Sequence, residues 1–199
     1  MVQDKKLKIA ILLRGHKRTY MKTFDSLKLY FLNNFDCDIF LHSWDGDNDV
    51  INLYNPIKFK FEESRNIQAL KILTKNKFYK KLKMSFQQQI YANYILVNML
   101  KNYAITKNIT YDYVIFSRFD IYYNNKVNKI FDNFNKKPLI CFDAKQCYID
   151  LLVICDYNTA LKFGNLHNYL TRKTTYSTLI SVLAHNIETI KERVGWIQR

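Results

Sequence analysis

The chain has 199 residues, a formal net charge of +14, 48% hydrophobic and 16% aromatic residues, but only four glycines and two prolines. This is the composition of one globular domain, and it excludes a disordered tail, a collagen-like repeat and a flexible linker. Gly15, Gly46, Gly164 and Gly195 form neither a G-x-G-x-x-G fingerprint nor a phosphate-binding P-loop, which sets dinucleotide enzymes and P-loop NTPases aside.

The charge comes from 31 Lys plus Arg against 17 Asp plus Glu, and only seven of the bases are arginine. Lysine together with abundant Asn, Ile, Tyr and Phe reads as the background of an AT-rich gene. The remaining excess suits an anionic ligand, and a nucleoside diphosphate qualifies. Cys37, Cys141, Cys147 and Cys155 make no CxxC pair, and no histidine lies at a zinc-finger offset. They read as reduced thiols, Cys37, Cys141 and Cys155 within apolar runs, which points to a reducing, cytoplasmic compartment. The longest apolar runs, Ile9 to Leu13 and Leu151 to Cys155, are five residues, so no transmembrane segment and no secretory leader core is expected.

Residues 7–14 read as a buried strand ending at Arg14-Gly15. Phe24, Leu27 and Phe31 are spaced as a helix over 20–33. A second short strand covers 37–44, and Asp45 to Asn55 reads as polar and turn-like. The Asp45-Gly46-Asp47-Asn48-Asp49 run fails the calcium-loop pattern, with Gly46 at its second place, Val50 at its sixth and Pro56 at its twelfth. IKFKFE (57–62) alternates as a half-exposed strand, and 66–82 reads as a basic helix. Over 85–107 the spacing predicts a long helix whose apolar stripe is Phe86, Ile90, Tyr91, Tyr94 and Ile95, with Gln87, Gln88, Asn93 and Asn98 among the other positions. Strands follow at 111–120, 138–143 and 149–155, then helices at 158–170 and 175–187. This alternation predicts a single α/β domain over 1–199, or one domain of a longer protein. A mostly parallel central sheet would be flanked by helices.

In such sheets ligands sit beyond the carboxyl ends of the strands. Three strands here end in polar residues: Arg14-Gly15-His16-Lys17-Arg18, His42-Ser43-Trp44-Asp45 and Ser117-Arg118-Phe119-Asp120. Ordinary solvent-facing loops would look the same.

The third of these ends carries a resemblance. KIAILLRGHKR, CDIFLHSWD, FQQQIYANYIL, YDYVIFSRFDIYY and YIDLLVICDYNTALKF, in that order from residue 8 to about 163, resemble segments of small GT-A-type (Rossmann-like) glycosyltransferases. The likeness is to those of large algal viruses and bacterial surface-polysaccharide clusters. It implies transfer of a hexosyl or deoxyhexosyl unit from a nucleotide-sugar donor to a glycan or glycoprotein acceptor, in the host cytoplasm if the source is viral. It also implies Mn²⁺ or Mg²⁺ at the donor diphosphate, held by Asp120 at the end of the central strand.

At the donor, Gly15 then allows close backbone approach to a base or phosphate, with Arg14 or Arg18 supplying charge, and Trp44 and Asp45 line the nucleoside pocket; Arg118, a cation that cannot ligate a metal, grips a phosphate or a neighbouring carboxylate. Gln87 or Gln88 reaches the donor from the long helix, and Asp150 accepts the acceptor's proton, ahead of its rivals Asp143 and Asp156. The chain departs from the pattern at two places. Arg118 stands where an Asp-x-Asp motif has its first acid, and the 175–187 segment offers Thr175 and Ser177 where relatives carry an acid.

Two other readings compete. One is a basic nucleic-acid-binding module, supported by the net charge and by Lys71, Lys75, Lys77, Lys80, Lys81 and Lys83. The other is a degenerate transferase that binds without turnover. Against the first, aromatics do not interleave with basic residues on a strand. Arg14, Arg18 and Arg118 also lie at strand ends rather than in the lysine run, so no specific nucleic-acid partner is expected.

Overall fold

The computed structural model describes residues 6–63, 84–124, 131, 139–141 and 152–171. The expected helices at 66–82 and 175–187, the lysine run, Asp143, Cys147, Asp150, Thr175 and Ser177 lie outside these residues.

Six strands form one sheet in the order β3-β2-β1-β4-β6-β5. They are β1 (Lys8–Gly15), β2 (Asp36–Ser43), β3 (Lys58–Phe61), β4 (Tyr113–Arg118), β5 (Leu139–Cys141) and β6 (Leu152–Cys155). The first four run parallel, whereas β6 pairs antiparallel with both β4 and β5. The sheet is therefore mixed, and the expectation of a mostly parallel sheet holds only for its first four strands. Residues 142–151 are too few for a parallel crossover, which needs a dozen or more residues, and an antiparallel return needs none.

Period-two alternation splits the core into two faces. Ile9, Ile11 and Leu13 of β1, Ile39 and Leu41 of β2, and Ile115 of β4 pack with Tyr20, Leu27, Phe31, Val50 and Tyr54. These last come from α1 (Tyr20–Leu27), from a π-helical turn that continues it (Lys28–Leu32), and from α2 (Asn48–Tyr54). On the other face Ala10, Leu12, Phe40, Val114 and Phe116 pack against Leu96, Val97, Leu100 and Ala104 of α3 (Met84–Lys107), and against Ala160 of α4 (Tyr157–Gly164). Each large side chain buried in these layers contributes about 1.5–3 kcal/mol.

Helix α2 replaces the expected turn. The Asp47 carboxylate caps it by accepting from the Val50 amide at 3.3 Å, Val50 and Tyr54 anchor it one turn apart, and Asn55 ends it at φ 43°. The stripe expected on α3 is partly displaced. Ile90 is buried, but Phe86, Tyr91, Tyr94 and Ile95 are only half-buried, while the polar Gln87 and Asn93 are buried. The expected helix at 158–170 is two helices, α4 and α5 (Leu166–Thr171).

A Cβ built on Gly164 would lie 2.4 Å from the Val97 Cβ, so α4 approaches α3 as closely as it does only because position 164 has no side chain. Gly164→Ala is expected to force these helices apart and destabilise the fold by about 1–3 kcal/mol, seen as a lowered melting temperature.

Candidate functional site

The polar residues at the strand ends are set in place by the same alternation that builds the core. Leu12 pairs in register with Phe40 on one side and Phe116 on the other, all facing α3. Two residues further on, Arg14 pairs with His42 and with Arg118. Register partners share a face, so an apolar rung gives way to a basic one under the first turns of α3. This is also where the strand order reverses: β2 and β3 lie to one side of β1 and β4 to the other. A crevice at the carboxyl ends of β1 and β4 is the place where open α/β sheets bind ligands.

Such a cleft is present. Arg14, Gly15, His16, Arg18, Trp44 and Arg118 line it from the sheet side, and Ser85, Gln88, Gln89 and Ala92 line it from α3. Its volume of about 110 Å³ is below the roughly 300–1,000 Å³ of a whole small-molecule pocket, so these residues would contact part of a ligand. Six of the residues expected at the donor thus meet at one cleft. Asp45 does not line it. Its Oδ1 accepts from the Lys17 amide at 2.8 Å and the Ser43 hydroxyl at 3.1 Å, and its Oδ2 lies 3.3 Å from His16 Nδ1. Asp45 therefore shapes the β1–α1 loop from behind. Gln87 is buried in α3 and does not line the cleft.

The loop is held in an uncommon conformation. Gly15 has φ 109°, and a Cβ there would meet open space, so glycine is required by the backbone and not by crowding. Arg18 has φ 38°, a left-handed conformation that costs a non-glycine residue about 1 kcal/mol. That twist carries Arg18 toward β4, where its Nη1 donates to Asp120 Oδ2 at 3.2 Å. Arg118 grips the same carboxylate bidentately, Nε to Oδ1 at 2.7 Å and Nη2 to Oδ2 at 2.5 Å. Asp120 is itself anchored by its neighbours. Phe119 and Ile121 are in the core, the Phe119 carbonyl accepts from Thr23 Oγ1 at 2.5 Å, and the Tyr123 amide donates to Ser26 Oγ at 3.0 Å. Burial works against ionised Asp120, but the Arg118 and Arg18 guanidinium groups outweigh it and hold its carboxyl below the ordinary range.

Behind Trp44 lies a second network. His42 Nε2 meets Glu62 Oε2 at 2.9 Å, and Glu62 Oε1 accepts from Lys60 at 2.9 Å and from the Tyr91 hydroxyl at 3.2 Å. The His42 ring stands edge-on to Trp44 with centroids 4.6 Å apart, and Trp44 stacks on Tyr91. Burial lowers the pKa of His42 despite the adjacent Glu62. The imidazole is therefore neutral at neutral pH and donates from Nε2. His42 anchors the aromatic wall; the charge at the cleft belongs to the arginines. Glu62, Lys60 and Tyr91 were not expected here; nor were His16, Ser85, Gln89 and Ala92 in the cleft.

Stability should follow this histidine. Its folded pKa lies below its unfolded value of about 6.5, so the unfolded chain takes the proton first. The contribution is complete above pH 6.5 and is lost as the pH falls below it. The pKa of buried His167 is lowered in the same way. The unfolding free energy from denaturant titration is expected to fall as the pH drops below about 6.5, by up to about 1.4 kcal/mol per pH unit for each such group. His42→Gln should flatten that slope.

The residues described do not fit a divalent cation. It would require carboxylate oxygens, and both oxygens of Asp120 already accept from guanidinium groups. Among the described residues no three His, Cys, Asp or Glu side chains gather at one point. Cys37 and Cys155 are free thiols. Burial pushes Cys37 up to about 12 and Cys155 also well up, so neither is a reactive thiolate. Among the described residues no helix is long and apolar enough to cross a membrane.

No protein-family model matches the sequence. No curated protein matches it either. Solved structures similar to the chain are glycosyltransferases. One is a glycosyltransferase involved in glycosylation of the major capsid of PBCV-1, with 12% identity and a TM-score of 0.40 over 91% of this chain and 79% of that one. A second is GlyE of Streptococcus pneumoniae TIGR4, with 9% identity and a TM-score of 0.48 over 94% of this chain and 46% of that one. A third is the galactosyltransferase LgtC with donor and acceptor sugar analogues, with 7% identity and a TM-score of 0.43 over 92% and 66%. The chain spans less than two thirds of GlyE and just under two thirds of LgtC. At these identities and TM-scores, none of the three identifies a donor, an acceptor or a residue role here.

Proposed function

We propose that this chain is a glycosyltransferase that moves a sugar from a nucleotide-sugar donor to a hydroxyl of a glycan or glycoprotein acceptor. The observation that carries this reading is the basic rung. Arg14 and Arg118, with Arg18 from the adjoining loop, rim one cleft at the carboxyl ends of β1 and β4. Arginine at such a point suits phosphate oxygens, because the guanidinium fork offers paired donors. Trp44 in the same lining suits the flat face of a base or sugar. The order of the sequence segments that resemble GT-A-type enzymes supports the same reading.

In the reaction, the acceptor hydroxyl oxygen bonds to the anomeric carbon of the donor. The bond from that carbon to the β-phosphate oxygen breaks, and its electron pair leaves with the nucleoside diphosphate. The arginines stabilise the negative charge gained by the leaving group, a task on which preorganised donors can act without reorganising. The acceptor's proton passes to a base, and Asp150 is proposed for this role in an inverting route. A hexosyl or deoxyhexosyl group is proposed as the sugar transferred.

The test is calorimetric titration with a panel of nucleoside diphosphates and their hexose conjugates, alongside a single-stranded oligonucleotide. Selective binding of one base, with release of its diphosphate on incubation with the matching nucleotide sugar, is the result expected. Salt-sensitive oligonucleotide binding with no preference among nucleotides would sink the reading and favour the basic nucleic-acid module.

A further inference from the structure

We infer that the donor's diphosphate is neutralised by guanidinium groups rather than by a divalent cation, and that Asp120 is the positioning residue that sets two of those groups. This rests on the nucleotide-sugar reading above.

Three observations lead to it. First, three arginines rim one cleft, and two of them, Arg18 and Arg118, share the single carboxylate of Asp120, so the cluster keeps a net positive charge at the place where a metal ion would otherwise supply it. The diphosphate of a nucleotide sugar carries one negative charge on each phosphate, and this cluster complements it directly. Second, the Asp120 oxygens point at guanidinium nitrogens, with three donors converging on two oxygens. Bare cations and guanidinium groups compete for the same lone pairs. A metal ion here would have to displace Arg118 from a bidentate contact and then sit among the positive charges it released.

Third, the arrangement is held before any ligand arrives. Arg18 is kept in a left-handed backbone conformation, Arg14 is 2% exposed at the centre of the rung, and the 118–123 segment is tied to α1 through Thr23 and Ser26. Backbone strain of this kind persists only where the surroundings over-determine it. The carboxylate of Asp120 orients two guanidinium groups at the rim of the cleft. Divalent ions would then act in solution only, by binding the nucleotide and lowering its charge.

The experiment titrates the full chain with the nucleoside diphosphate selected above, in buffers of equal ionic strength containing Mn²⁺, Mg²⁺ or chelator. The dissociation constant is expected to agree within about threefold across the three, or to be tightest in chelator. Binding at least tenfold tighter with Mn²⁺ than with chelator would overturn the proposal and leave the donor reading standing. Absence of nucleotide binding in every buffer would overturn both.

Two variants test the positioning role, each checked for folding by its melting temperature. Asp120→Asn is expected to weaken binding about tenfold, equally in Mn²⁺ and in chelator, and Asp120→Glu to recover part of that loss. Unchanged or tighter binding by Asp120→Asn, or a loss confined to the Mn²⁺ buffer, would show that the carboxylate does not position the arginines.

Discussion

Arg118→Ala is expected to lower kcat/KM for the nucleotide sugar at least about 100-fold, a loss of about 2.7 kcal/mol of transition-state stabilisation. Two effects add. A guanidinium is removed from the point where the leaving diphosphate gains charge, and the Asp120 carboxylate, which had accepted from Arg118 Nε and Nη2, keeps only the Arg18 contact and leaves more negative charge beside the leaving group. The second effect makes a further outcome testable. Arg118→Ala with Asp120→Ala should be more active than Arg118→Ala alone, because the half-paired carboxylate has gone, although Arg18 then loses its own anchor. Arg118→Lys keeps the charge, but one ammonium cannot span both Asp120 oxygens, and about a tenfold loss is expected. Steady-state kinetics on the parent, Arg118→Ala, Asp120→Ala and the double variant close the cycle and give the coupling energy. Arg118→Ala within threefold of the parent would remove Arg118 from the donor site.

The basic rung was largely legible in the sequence, and its reason is physical. ILLRG, IFLHS and VIFSR each place an apolar residue two positions before a basic one, and period-two alternation puts the two members of each pair on one face of their own strand. What the sequence could not supply was the register itself, which set His42 and Arg118 on either side of Arg14. Of the cleft face of α3 only Gln88 is expected from the sequence, although Ser85, Gln88, Gln89 and Ala92 are spaced i, i+3, i+4 and i+7. The expected stripe followed the aromatics, and Gln87 and Asn93 were set aside as polar although the fold buries both. Helix α2 had a cap and an αL terminator, yet seven residues give too little periodicity to outweigh three aspartates in five positions. Asp45 is expected at the nucleoside pocket with Trp44; a side chain at a loop corner can instead turn back onto the loop, and here it accepts the Lys17 amide. Nothing in local sequence distinguishes those two directions.

Phe116→Ala is expected to cost about 3–5 kcal/mol of stability, a large part of the 5–15 kcal/mol that holds a domain of this kind together. Phe116 has no exposed surface, pairs in register with Leu12, and meets Phe163 of α4 edge-on with centroids 5.0 Å apart. Its loss leaves a cavity in the apolar rung directly beneath Arg14 and Arg118. The functional consequence separates packing from charge. Phe116→Leu retains most of the volume and should destabilise by only about 1–1.5 kcal/mol, leaving the chain folded at 25 °C. If the apolar rung sets the height of the basic one, Phe116→Leu will weaken nucleotide binding severalfold without altering its salt dependence, because the charges remain while their positions relax. Arg118→Ala, by contrast, must flatten the salt dependence. Denaturant unfolding paired with nucleotide titration at two ionic strengths distinguishes the two. Phe116→Leu with lost stability and parental affinity would mean that the arginines are positioned by their own hydrogen bonds and owe nothing to the layer beneath them.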